Sequence, residues 1–252
     1  MSPPRHLTAK APRIYTPQPL GVGHTVELDQ AAAQHLIAVY RQRAGDRVVL
    51  FNGDGAVHTG TLVPPATVKH CTVAIESTDH PKVESNLDVA LVQAIGKGDR
   101  MDWAIQKAVE LGVCAITPLI SERVTVKLDQ ARANKRQQRW QAIAVSACEQ
   151  SGRVRVPTVH PPVALAGLDH PPERPLCHLD PQAQGSLNAL TPTPALTVVV
   201  GPEGGFSPQE LEHLVGMGSQ GIKLGPRILR TETAGVACLA AMQALWGDFI
   251  DG

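Results

Sequence analysis

Leu196-Thr-Val-Val-Val-Gly-Pro-Glu-Gly-Gly-Phe-Ser-Pro-Gln-Glu210, taken with Leu224-Gly-Pro-Arg-Ile-Leu-Arg-Thr-Glu-Thr-Ala234, decides the fold of this chain. Leu196 to Val200 is a short, β-branched apolar run, as expected of a strand buried on both faces. Gly201, Gly204 and Gly205 follow within five residues. Glycine lets a backbone approach a ligand closely or take positive φ. Ser207-Pro-Gln-Glu210 is a capping box with proline at the first helical position, so a helix starts there. The second segment repeats the plan: a strand at Ile222 to Leu224, a loop from Gly225 to Arg230, and a helix capped near Thr231 with Glu232 in its first turn. Two such loops at the carboxyl ends of neighbouring strands mark where an open α/β sheet binds its ligand.

Around this pair, residues 81 to 252 alternate strand and helix, which favours a mostly parallel sheet. Further strands are expected at Asp88 to Ala94, Ala115 to Leu119 and Leu176 to Leu179. Asp99 caps a helix with Met101, Ile105, Ala108 and Val109 on one face, and Gly112 ends it. A long helix from Asp129 to Ser151 aligns Trp140, Ala144, Ala147 and Ser151 and stops at Gly152. Pro157 to Pro175 is Pro-rich and irregular, and the last helix runs to about Trp246. Residues 13 to 80 have another rhythm. Short strands are expected around Val26, at Arg47 to Phe51, Ala56 to Val63 and Thr67 to Glu76, with a hairpin turn at Asn52-Gly-Asp-Gly55 and a short helix over Ala31 to Tyr40. Many short strands in so small a span suggest a barrel. Asp79 to Ser85 reads as the linker, and Met1 to Pro12 as a polar tail.

A chain of 252 residues holds one or two domains, and 43% hydrophobic with 18% charged residues is ordinary for a globular protein. No apolar run reaches the roughly 18 residues of a membrane span, and the start lacks the apolar stretch of a secretory signal, so a cytoplasmic protein is expected. The five cysteines are odd in number, widely spaced and without a Cys-x-x-Cys pair. They read as buried thiols of a reducing compartment. The ten histidines show no metal-ligand spacing, and no metal is expected. Net charge is zero but uneven. Residues 121 to 156 carry eight basic side chains (Arg123, Lys127, Arg132, Lys135, Arg136, Arg139, Arg153, Arg155) against three acids, and residues 157 to 252 carry four against nine. The basic stripe is either a contact for a phosphate backbone or a solvated helix face. Aromatic content of 3% argues against extensive base stacking.

The Gly201 to Gly205 loop lacks the Lys-Ser/Thr of a P-loop, and no Gly-x-Gly-x-x-Gly joins a strand to a helix, so neither phosphate motif is present. Two adjacent glycine loops can still cradle a nucleoside. Their backbone would read its edge, and Leu224, Ile228 and Leu229 would pack on its face.

The same residues carry a family resemblance. Gly-Pro-Glu-Gly-Gly-Phe-Ser at 201–207 and Leu-Gly-Pro-Arg-Ile-Leu-Arg-Thr-Glu-Thr-Ala at 224–234 resemble the SPOUT RNA methyltransferases of the RsmE type, which act on uridine N3 of 16S ribosomal RNA. Lys97 to Gly112, Ser121-Glu-Arg123, Glu149-Gln-Ser-Gly-Arg153, and, near the start, His35-Leu36, Arg41, Gly45-Asp46 and Leu50 to Gly55 extend the resemblance from about Arg13 to Trp246. It implies an α/β fold: a C-terminal knotted SPOUT methyltransferase domain with a mostly parallel sheet (81–252) and a small N-terminal PUA-like β-barrel that grips RNA (13–80). It implies S-adenosylmethionine as cofactor, held by Leu179, Gly201, Glu203, Gly204, Gly205, Leu224, Gly225, Pro226, Ile228, Leu229 and Thr231. The target it implies is the uridine at position 1498 of 16S ribosomal RNA within the small subunit, modified by a homodimer; a related knotted methyltransferase acting elsewhere, or a non-catalytic RNA-binding factor, are the alternatives. RNA contacts are expected from Arg13, His35, Arg41, Arg100, Arg123, Arg132, Arg136, Arg139 and Arg153. N3 of uridine must lose a proton. Glu203, Glu232 and Glu149 are candidate bases, unless Glu232 only neutralises a helix end and Glu203 only orders its loop. Arg230, with Arg227 as second choice, is the candidate to stabilise the anion.

Overall fold

The computed structural model describes residues 11–123 and 129–250. Most of the tail read over Met1 to Pro12, and Lys127 of the basic stripe, lie outside the described residues. Two compact units result: one spans residues 1–84 and Cys148–Arg155, the other Ser85–Ala147 and residues 156–252.

The first unit is a five-stranded sheet of β1 (Arg13–Tyr15), β2 (Thr25–Glu27), β3 (Arg47–Phe51), β4 (Val57–Val63) and β5 (Thr72–Asp79), in the order β1-β3-β4-β5-β2. All pairs are antiparallel except β1 with β3. β4 buries every second residue, as one wetted face requires. At Thr59/Gly60 its register against β5 shifts. Gly60 must be glycine, because a Cβ there would collide with the carbonyl oxygen of Ala74. Ile14, Leu36, Val48, Leu50, Leu62 and Val73 form the core. The expected helix over Ala31 to Tyr40 is instead a short α1 (Gln30–Gln34), capped by the Asp29 carboxylate, continuing into a π-helical turn over His35–Val39. The strand expected from Thr67 starts five residues later, at Thr72; Thr67 is held in a turn, where its hydroxyl and amide meet His70.

The second unit is an all-parallel sheet. Its strands are β6 (Asp88–Ala94), β7 (Ala115–Ile120), β8 (Thr158–Val159), β9 (Val163–Ala164), β10 (Leu176–Leu179), β11 (Ala195–Val200) and β12 (Gln220–Ile222). Their order is β12-β10-β11-β6-β7-β8, with β9 also on β7. β6 and β11 are almost wholly buried, so their apolar runs are continuous rather than alternating. Pro118 sits inside β7, where proline is unusual. On that side β8 pairs with Ala115 and Ile116 and β9 with Leu119 and Ile120, so the residue that lacks an N–H falls in the gap.

Helices α2 (Arg100–Glu110), α3 (Gln130–Ser151), α4 (Pro208–Gly216) and α5 (Thr231–Trp246) complete the chain. Met101, Ile105, Ala108 and Val109 of α2 are all buried, as the spacing predicts, but Asp99 makes no side-chain cap and pairs with Arg139 at 3.6 Å. In α3, Trp140, Ala144 and Ala147 are buried while Ser151 is exposed. α5 packs on α2 and against β6 and β11. Gly235 permits that approach, since a Cβ there would lie 2.7 Å from Gln93 Oε1. The span Pro157 to Pro175, read as irregular, contributes the two short strands β8 and β9. No helix among the described residues is long and apolar enough to cross a membrane. Burial pushes the Cys148 and Cys177 thiols up to about 12 and raises Cys238 well above its usual value, so these are packing residues.

Candidate functional site

β10 lies between β11 and β12, so the chain leaves it first to one side and later to the other. That reversal opens a crevice at the carboxyl ends of these strands. The crevice is a cavity of about 670 Å³, within the range of small-molecule sites. Leu179, Gly201, Glu203, Gly204, Gly205, Leu224, Gly225, Ile228, Leu229, Arg230 and Thr231 line it, so the two glycine loops and the end of β10 converge as their sequence suggests. Phe206, Leu211, Ile222 and Val200 supply further apolar wall. Asp180, Pro181 and Gln182, which follow β10, were not legible as site residues; their one signal is a turn at the carboxyl end of a strand. Pro226 is exposed and does not line the cavity.

The glycines of the two loops answer two different demands, and one of them answers neither. Gly205 and Gly225 have φ of 69° and 70°, in the left-handed region. A Cβ on Gly201 would lie 3.0 Å from the Phe206 ring, so bulk there would push a wall of the cavity. Gly204 would meet only Arg123 at ordinary contact distance.

A frame of hydrogen bonds fixes the first loop. The capping box at the start of α4 is complete, with Ser207 and Glu210 exchanging bonds. Glu210 is 5% exposed, and its carboxylate also accepts from the Ser121 hydroxyl and the Glu122 amide, each at 3.0 Å. Arg123 Nη1 donates to the Gly204 carbonyl at 2.6 Å. The loops after β7 and β11 are therefore tied together. The sequence motif Ser121-Glu-Arg123 is half of that tie.

Thr231 corrects the expected cap. Arg230 occupies the N-cap position without a side-chain cap bond, and Thr231, the first helical residue, donates its hydroxyl to the Gly201 carbonyl at 3.0 Å. This bond joins the two glycine loops. The expected strand Ile222 to Leu224 is likewise shifted, to Gln220–Ile222, which leaves Lys223 and Leu224 to the cavity wall.

The candidate bases separate. Glu203 lines the cavity and pairs with Arg100 Nη1 at 2.6 Å. Glu232 does not line it. Helical geometry turns Thr231 and Ala234 toward the cavity and Glu232 away. Glu232 meets Arg100 Nε at 3.7 Å, beside a narrow gap bounded by Gln93, Gly96 and Met101. Glu149 belongs to the first unit, where it accepts from the Tyr15 amide at 3.0 Å and faces His35 at 3.5 Å. Burial raises its carboxyl above the usual range despite these partners. Neither Glu232 nor Glu149 lines the cavity.

The candidate RNA contacts also divide. Arg153 is buried and pairs with Glu84 at 2.8 Å, and Arg13 donates to the carbonyls of Gly152 and Arg153 and lies 5.1 Å over the Phe51 ring. Both are engaged by partners within the first unit. His35 faces Glu149, and Arg100 is held by the two glutamates. On α3, Arg132 pairs with Asp129 at 3.3 Å and Arg139 with Asp102. Lys135 is exposed and Arg136 half-buried. Arg41, Arg227 and Arg230 are exposed.

Comparison with known proteins agrees with this architecture. Residues 83–243 match the family model described as RNA methyltransferase domain, and residues 28–76 that described as RNA methyltransferase PUA domain. The ribosomal RNA small subunit methyltransferase E of Buchnera aphidicola subsp. Schizaphis graminum is 32% identical over 255 residues, covering 96% of this chain and 99% of that protein. The crystal structure of the Neisseria gonorrhoeae ribosomal RNA small subunit methyltransferase E bound to S-adenosyl methionine is 43% identical, with a TM-score of 0.88, and covers 95% of this chain and 100% of that one. A Legionella pneumophila methyltransferase structure in complex with the same cofactor is 38% identical, with a TM-score of 0.89, over 96% of this chain and 100% of that one. Fold and sequence together define an RNA methyltransferase that joins a SPOUT α/β domain to a PUA-type domain. The chain belongs to the ribosomal RNA small subunit methyltransferase E family.

Proposed function

We propose that this protein transfers the methyl group of S-adenosylmethionine to N3 of a uridine in 16S ribosomal RNA. The cavity at the ends of β10, β11 and β12 carries the reading. It has the size of a nucleoside-bearing ligand, two backbone loops that offer N–H and C=O groups, and an apolar wall. The residues fit the cofactor: Gly205 and Gly225 leave backbone open to it, while Leu224, Ile228 and Leu229 can pack on its base. Bound there, S-adenosylmethionine supplies the methyl group. Solved relatives of this family hold that cofactor.

The remaining work falls to side chains at the mouth. Glu203 is the one candidate base on the cavity, oriented by Arg100. Arg230, exposed at the head of α5, presents a planar fork to O2 or O4 of the pyrimidine and stabilises the charge left when N3 loses its proton. Lys135, Arg136 and Arg123, with Arg132 and Arg139 where RNA phosphates displace their carboxylate partners, form the electrostatic part of RNA binding. Arg41 belongs to the same reading in the first unit. The protein works as a cytoplasmic homodimer, with the small ribosomal subunit as its substrate, a barrel domain at about 13–80 and a methyltransferase domain at 81–252.

Incubating the purified chain with labelled cofactor and small subunits lacking the modification, then mapping the modified nucleotide by mass spectrometry, tests the reaction. A methyl group on a ribose 2′-hydroxyl, or none at all, would overturn it. Light scattering tests the dimer against the 26.8 kDa of one chain.

A further inference from the structure

We propose that the first unit carries a stacking site for one nucleobase of single-stranded RNA at Tyr40, with Arg41 beside it to take the adjoining phosphate. The proposal rests on the reading of the protein as an RNA methyltransferase and adds a place where its RNA is gripped.

The chain has only two tyrosines. Tyr15 packs edge-on against Phe51, ring centroids 5.6 Å apart, inside the unit. Tyr40 is 43% exposed. Its ring lies over the His35 imidazole, with centroids 4.8 Å apart and planes 30° from parallel. The imidazole is itself steadied by Glu149 at 3.5 Å. One face of the tyrosine is therefore backed by a fixed ring, which leaves the exposed side for a ligand with a flat face of its own.

The backbone beneath is unusual in two ways. His35–Val39 form a π-helical turn, closed by the Tyr40 amide donating to the His35 carbonyl at 2.9 Å. Such turns are rare and concentrate at functional sites. Arg41 then takes φ of 57°, and no other non-glycine among the described residues has positive φ. After a helix this position normally belongs to glycine. An arginine kept there against its conformational preference points to a use for the side chain. Arg41 and Arg43 are both exposed, and the Gln42 amide donates to the Leu36 carbonyl at 3.0 Å, pinning the turn to the core. An exposed ring followed by two cations within three residues, Arg41 and Arg43, suits a base and its phosphate better than an apolar protein groove.

Anisotropy of a labelled single-stranded oligoribonucleotide with the full chain, without methyl donor and over a range of salt, tests the site. Tyr40→Ala and Tyr40→Leu are expected to weaken binding about tenfold or more with the salt slope unchanged, and Tyr40→Phe to bind like the parent. The leucine keeps bulk over His35, so its loss of affinity cannot come from a collapsed turn. Arg41→Gly is expected to lower the salt slope by about one while raising the thermal midpoint, because glycine accepts the left-handed conformation. Binding by Tyr40→Leu within about twofold of the parent, against the loss expected of a stacked base, or no binding by the parent, overturns the proposal. Methyl transfer is read separately. Transfer by the parent with unaltered RNA binding in Tyr40→Leu leaves the reaction standing and removes only the stacking site. No transfer by the parent, with the stacking losses observed, does the reverse.

Discussion

Replacing Glu210 tests the frame that holds the first glycine loop. Its carboxylate is 5% exposed and accepts three hydrogen bonds: from the Ser207 amide at 2.8 Å, and from the Ser121 hydroxyl and the Glu122 amide at 3.0 Å each. Glu210→Ala leaves two buried donors without a partner, since Ser207 is 5% and Ser121 2% exposed. Glu122 is exposed, and water recovers its amide. A hydrogen bond to a charged group contributes about 1.5–3 kcal/mol, so two buried losses amount to about 4 kcal/mol. In a protein of this size each kcal/mol moves the melting temperature by about 2–4 °C, which gives a fall of roughly 8–16 °C. Glu210→Gln separates charge from shape. Its amide oxygen, placed where Oε2 lies, still accepts from Ser207 and Ser121, and its nitrogen faces only the exposed Glu122 amide, so most of the stability should be kept. S-adenosylmethionine affinity should fall with Glu210→Ala, because Gly201 to Gly205 is no longer anchored, and change little with Glu210→Gln. Thermal unfolding followed by circular dichroism, with titration calorimetry for the cofactor, measures both. A Glu210→Ala protein that melts within about 2 °C of the parent and binds cofactor equally would refute the reasoning.

Three further outcomes are expected. Arg230→Ala should lower the single-turnover rate about a hundredfold with cofactor affinity within a few fold, and Arg230→Lys should restore only part of it; equal rates would return Arg230 to a structural role. Gly201→Ala should weaken cofactor binding by pushing the Phe206 ring, whereas Gly204→Ala should be tolerated because only Arg123 lies near, at 3.5 Å, and calorimetry on the two variants ranks them. His178 is 4% exposed, and burial lowers its pKa, with Asp180 opposing in part. Its unfolded form therefore binds a proton more readily than its folded form, and the stability it contributes is complete above the ordinary histidine value of about 6.5 and declines as pH falls below it. A melting-temperature profile from about pH 7 to pH 5 should be flatter in His178→Asn than in the parent.

Periodicity and punctuation made most of the second unit legible. The short β-branched run of β11 read as a strand buried on both faces, and Ser207-Pro-Gln-Glu210 announced its helix through local chemistry alone. Those features act within a few residues, so no partner is needed to read them. The roles of the charged residues were not legible in this way. Arg13 and Arg153 look like any exposed cations in sequence, and Glu232 looks like a helix-end acid or a base. What separates them is which carbonyl, carboxylate or cavity wall lies against each, and that is set by contacts between residues as far apart as Arg100 and Glu203, or Arg13 and Gly152. Thr231 shows the same limit at closer range. Its hydroxyl suited a local cap, yet it bonds to the carbonyl of Gly201 thirty residues away. The sequence alone determined the central buried strands, the glycine loops and the family, but not β8, β9 or the bounds of β5 and β12. The tertiary structure alone decided which charges are neutralised inside the protein and which still face a ligand, because burial and pairing depend on distance in space and leave no mark in local spacing.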